Sequence, residues 1–147
     1  MISIRDFPVV TITLPGSFVH DKTRDGWRLH EDALLQGERL TLRLAEPSMG
    51  AIRDLSWQTL MTYFRTFEHR AGQHHAERLL SQEKSIPYEW RSEILLFPGT
   101  TWVDQEGDMP LIPYMTYGQE GWFLDFLKVG RDIHADKPYK VVCATTS

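Results

Sequence analysis

Three histidines, His69, His74 and His75, sit close together in the chain with Glu68 and Glu77 beside them. Imidazoles and carboxylates are metal ligands, and a helix that binds metal places them four residues apart so that both reach one side. Here the histidines are separated by five, six and one positions, and no HExxH occurs. His74 and Glu77, three apart, can share a face. Two ligands alone hold a metal poorly, so the pattern reads as solvated polar residues around a helix bend, with no metal and no cofactor expected. The segment Asp104-Gln-Glu106-Gly-Asp108 also alternates carboxylates, as a calcium loop does. An EF-hand requires Gly at its sixth position and Glu at its twelfth. Counted from Asp104, those positions hold Met109 and Met115. An exposed loop between strands is the better reading.

Acid–base chemistry has a second set of candidates. Asp125 lies on an apolar run in register with Phe123, Leu127 and Val129, and Glu93 stands likewise beside Leu95 and Phe97. Facing the core, such carboxylates need a partner or a raised pKa, and two on neighbouring strands form an acid/base pair. In the opposite register Trp122, Leu124 and Phe126 point inward and Asp125 is wet. His134, between Asp132 and Asp136, supplies an imidazole but no nucleophile. The chain has no GxSxG, P-loop or GxGxxG, and Cys143 has no activating neighbour in sequence. A small hydrolase using Asp125 or Glu93 with His134 is therefore the enzymatic alternative, and no catalytic residue is assigned.

These groups must be held by regular elements. The block from Asp54 to about Glu83 repeats Trp57, Leu60, Met61, Phe64, Phe67 and Ala71 at helical steps. Asp54 or Ser56 can cap its start. Gly72 divides it, since a mid-helix glycine costs about 1 kcal/mol relative to alanine. One main helix to about Ala71, then a shorter turn through Ala76, Leu79 and Leu80, is expected. Before it, Val9–Leu14, Trp27–His30 and Arg39–Leu44 alternate as strands, the last with Leu40, Leu42 and Leu44 inward. After it, Glu93–Phe97 is apolar on both faces, and Leu111–Tyr117 and Trp122–Val129 flank Gly118-Gln-Glu-Gly121 as a hairpin. Tyr139–Ala144 closes the set. The expected fold is a single α+β domain over residues 1–147, a mainly antiparallel sheet of about six or seven strands with one long helix (about 54–83) packed across one face. This element order resembles that of the Mog1/PsbP-like folds, which include small adaptors of bacterial secretion systems. That group's C-terminal helix has no counterpart after Asp132.

Composition narrows the function. Residues 101–147 hold four basic against seven acidic residues, so most of the net charge of −4 falls in the last third. No Lys/Arg run exists to displace counterions from phosphates, which argues against nucleic acid as a partner. One cysteine forbids an internal disulfide. No apolar stretch approaches the ~20 residues that span a bilayer, and the start does not read as a signal peptide; a cytoplasmic protein is expected. Trp90, Trp102, Tyr114, Tyr117, Trp122 and Phe126 all follow the helix. On a sheet with one face open, they would make an apolar patch with an acidic rim, suited to a basic protein partner. The expectation is a small acidic, non-catalytic protein-binding domain of the toxin-immunity or effector-adaptor type, with a structural subunit of a larger assembly as a further alternative. Its surface is expected to use Trp102, Asp104, Glu106, Asp108, Tyr117, Glu120 and Trp122.

Overall fold

The computed structural model describes residues 3–4, 9–12, 18–32, 39–48, 52 and 54–146. Leu14, Pro15, Gly16 and Gly50, which close two of the expected strand blocks, lie outside them. Strands β1 (Ser3–Ile4), β2 (Val10–Ile12), β3 (Arg28–Glu31) and β4 (Leu40–Glu46) precede helices α1 (Trp57–Phe64) and α2 (Gln73–Ser81). Strands β5 (Ile94–Leu96), β6 (Thr101–Val103), β7 (Pro110–Gly118) and β8 (Gly121–Lys128) follow. The short α3 (Val129–Asp132) and β9 (Tyr139–Thr146) complete the order.

All the strands join one mixed, mostly antiparallel sheet in the order β1-β4-β9-β5-β7-β6-β3, with β2 also on β4 and β8 on β7. The parallel pair is β5 with β9. Strands β5 and β6 lie end to end along the same side of β7, because Leu95 opposes Met115 while Trp102 opposes Leu111. The expected β7–β8 hairpin forms about its glycine-bounded loop, with Tyr117 opposite Trp122 and Gly118 opposite Gly121. Leu40, Leu42 and Leu44 are buried, as their alternation predicts.

The single long helix does not form. Ser56 caps α1 through its Oγ, which accepts from the Thr59 amide, while Asp54 accepts from the Ser56 amide and the Thr59 hydroxyl. Both candidate caps thus serve one helix end. The helix stops at Phe64. Residues 69–71 then enter the plane of the sheet, where β5 has left one side of β9 without a neighbour. The Ala71 amide donates to Val142 O (2.7 Å), and the Ala144 amide donates to His69 O (2.7 Å). His69 takes φ +57°, a left-handed conformation that turns the chain into this slot. Backbone groups in the middle of a sheet need partners, and this demand overrides continued helix.

Passing through the sheet puts α1 and α2 on opposite faces. On one side α2, Ile86 and Trp90 pack on Leu42, Leu95, Met115, Trp122 and Val142. On the other, Leu60, Met61, Phe64 and Phe67 pack with Val129 and Ile133 on Leu96, Ile112, Val141 and Cys143. The expectation of one covered and one open face is therefore corrected: both faces are covered. Adjacent residues Leu95 and Leu96 belong to different cores, which is what the two-sided EILLF run implied. No helix among the described residues is long and apolar enough to cross a membrane.

Candidate functional site

The hairpin tip and the turn that follows α2 form the most distinctive surface of the molecule. Gln119 and Glu120 make the loop between β7 and β8, and Gly121 takes φ +108°. That backbone conformation favours glycine, and the exposed Glu83 carboxylate closes to 2.7 Å from where a Cβ would stand. Across from the tip, residues Glu83–Ser85 and Tyr88–Ser92 form two 3₁₀ turns, anchored inward by Ile86 and Trp90. Side chains three apart eclipse one another in a 3₁₀ helix. Tyr88 and Arg91 do so, with the guanidinium 4.9 Å from the Tyr88 ring centre. The same guanidinium lies 4.3 Å from the Tyr117 ring, and Tyr117 meets Trp122 edge-on at 5.6 Å. A column Tyr88–Arg91–Tyr117–Trp122 thus runs from solvent to core. Tyr88 is 74% exposed, Tyr117 37% and Trp122 6%. Glu83, Glu89 and Glu120 are exposed around it.

Of the residues expected to form a binding surface, Tyr117 and Glu120 lie at this tip. Trp122 is buried beneath it, and Trp102 is 1% exposed, its indole Nε1 donating to Gln73 Oε1 (2.7 Å). Neither tryptophan presents a surface. Asp104, Glu106 and Asp108 gather instead near the opposite end of the hairpin, about 26 Å away for eight strand steps. There they surround Lys128 Nζ at 3.3, 2.8 and 3.2 Å, while Asp132 accepts from the Lys128 amide. These carboxylates keep the buried ammonium protonated well above the usual lysine range. The seven residues do not make one patch. Sequence spacing pointed to neither Tyr88 nor Arg91, although Pro87 followed by Tyr88-Glu-Trp-Arg91 carries the 3₁₀ spacing that stacks them.

The histidine group divides: Glu68 and His69 are exposed, as the sequence suggests, whereas His74 is half-buried and His75 and Glu77 are buried. His75 at the third position of α2 reaches back so that its Nδ1 accepts from the Gly72 amide (2.8 Å). Burial pulls its pKa down to about 4, so the ring is neutral. Gln73, fully buried, donates to His20 O and Glu77, and Glu77 accepts from the Val19 and His20 amides at 2.8 and 2.6 Å. Phe18 stacks on His74 at 4.1 Å. Thr100 Oγ1 accepts from the Gln73 amide and donates to Asp32, both at 2.7 Å, and Asp32 lies 3.7 Å from His74. The hydroxyl is fully buried and its proton already engaged by a carboxylate, so this set fastens residues 18–20 and 32 onto α2. Among the described residues, no group of three or more His, Cys, Asp or Glu side chains is placed to hold a metal.

The acid–base candidates take separate partners. Asp125 is exposed on β8, and its Oδ1 accepts from the next amide, that of Phe126. The strand has adopted the register that leaves it wet. Glu93 pairs with Lys140 at 2.8 Å, and His134 is exposed in the turn before β9. No hydrogen bond or ion pair joins any two of the three. Burial pushes the Cys143 thiol up to about 11, which makes it a poor nucleophile. No family model, curated protein or solved structure matches this chain.

Proposed function

We propose that this chain is a non-catalytic domain that binds another protein, a basic one, through the β7–β8 tip and the adjoining turn at residues 83–92. The observation that carries this reading is the Tyr88–Arg91–Tyr117 column. Tyrosine and arginine are the residues that most often dominate binding energy, chiefly where they are held rigid before the partner arrives. Here each ring fixes the guanidinium between them, and Trp122 anchors the column in the core. Glu83, Glu89 and Glu120 around it favour a partner segment rich in Lys or Arg. The turn is held by Ile86 and Trp90, so the surface is present without reorganisation.

The test is retention of a partner by immobilised protein from a lysate of its native host. Wild type should hold one stoichiometric protein through moderate salt. Tyr88→Ala and Tyr117→Ala should each weaken it roughly 10-fold or more while leaving the unfolding midpoint near wild type. Glu120→Lys should slow association and reduce its salt dependence. Equal retention by both tyrosine variants would refute the reading.

A further inference from the structure

On the opposite face of the sheet, a cleft of about 180 Å³ opens between α1 and strands β3 and β6. Its walls are apolar: Trp57 and Met61 from α1, Val103 from β6, and Met109 and Pro110 beyond it. Thr101 lies on the same face as Val103, because the Trp102 indole between them reaches the α2 side. Thr101 is fully buried in the cleft lining, and its hydroxyl has no hydrogen-bond partner among the described residues. Such a group is uncommon in a finished interior.

The charges at the cleft decide the class of occupant. Arg65 is ion-paired with Glu31, which also stands 3.8 Å from His30. Asp108 is drawn to Lys128 at 3.2 Å. Arg28 lines the same cleft, and its guanidinium has no hydrogen bond or ion pair with any described residue. One guanidinium is therefore left over at an apolar cleft, with His30 beside it. A guanidinium offers two parallel N–H groups that match a carboxylate. The volume is below the roughly 300–1,000 Å³ that holds drug-sized molecules. The loop that closes one end is preformed, since Asp104 Oδ1 accepts from the Glu106 and Gly107 amides at 3.1 Å and Lys128 ties that loop to β8.

We propose that this cleft binds a small monocarboxylate with an apolar body, its carboxylate on Arg28 and its body against Trp57, Met61 and Val103. The test follows the Trp57 indole N–H by two-dimensional NMR, with Trp57→Phe identifying its signal among five tryptophans. Benzoate, phenylacetate and isovalerate are titrated separately, and benzyl alcohol serves as the uncharged control. At least one carboxylate should move the Trp57 signal saturably, and benzyl alcohol should bind roughly 10-fold more weakly or less. Arg28→Gln, an exposed change on an edge strand, should weaken that carboxylate by a similar factor while the other indole signals stay in place. The proposal is overturned if none of the three carboxylates gives a saturable shift. It is equally overturned if benzyl alcohol binds as well as they do, or if Arg28→Gln leaves the affinity unchanged.

Discussion

Single residues in this protein are decided by neighbours far away in the chain, and His75 shows the consequence for pH. Its folded pKa lies near 4, below the unfolded value of about 6.5. As pH falls, the unfolded chain takes the proton first. The stability associated with neutral His75 is therefore complete above about pH 6.5 and is lost as pH falls toward 4. Between pH 7 and pH 5 the loss amounts to about 2 kcal/mol. Unfolding free energies from denaturant titrations at those two pH values should differ by that amount more in wild type than in His75→Gln, which retains an acceptor for the Gly72 amide. Equal pH dependence in the two would show that His75 titrates normally. Trp122→Ala belongs to the same scale. With Trp122 at 6% exposure the change removes core, so it should cost about 3–5 kcal/mol of stability instead of merely weakening partner capture. The sequence reveals that the second half is rich in aromatics, but not which of them face outward. Trp102 is buried because Gln73, 29 residues earlier, accepts its N–H, and nothing near Trp102 in the chain announces that bond.

At the level of elements, most strands were legible and the helix was half legible. Strands β1 and β6 were not, so that nine strands stand among the described residues where about six or seven were expected. Alternation in Arg39–Leu44 and the glycine-bounded loop at 118–121 are local patterns, and the structure follows them. Gly72 marks a break in the helical period, yet its reason is not conformational freedom. It has extended dihedrals, and a Cβ would stand 2.4 Å from Thr100 Oγ1. That hydroxyl accepts from the Gln73 amide at the start of α2. Gly72→Ala should consequently destabilise by about 1–3 kcal/mol, against the gain expected of Gly→Ala at an unhindered site. Thermal unfolding checks it, and a midpoint equal to or above wild type would mean that Thr100 moves aside freely. What the sequence hid was the passage of residues 69–71 through the sheet. That passage depends on an empty hydrogen-bonding position beside β9, which exists only after β4, β5 and β9 have paired.

The whole molecule is organised around that same strand. On one edge β9 pairs with β4 from Ala45 to Leu40; on the other it meets β5 and then residues 69–71. Its side chains alternate between the two cores, Val142 and Ala144 on the α2 side, Val141 and Cys143 on the α1 side. Both helices therefore depend on β9, although it is the last strand made. Strands β8 and β3 lie at the margins, with one pairing neighbour each. Amides that exchange only through global opening should thus cluster at residues 141–144, because releasing them disrupts both cores at once. The outward-pointing amides of β8 and β3 should exchange through local opening at much lower free energy. Native-state hydrogen exchange resolves this residue by residue. Should the β7–β8 hairpin outlast residues 141–144, the cooperative unit would be the hairpin with its 3₁₀ turn, and β9 would be a late addition to it. The reverse order would show that the candidate binding tip, though held locally by Ile86 and Trp90, lies outside the cooperative centre that β9 organises.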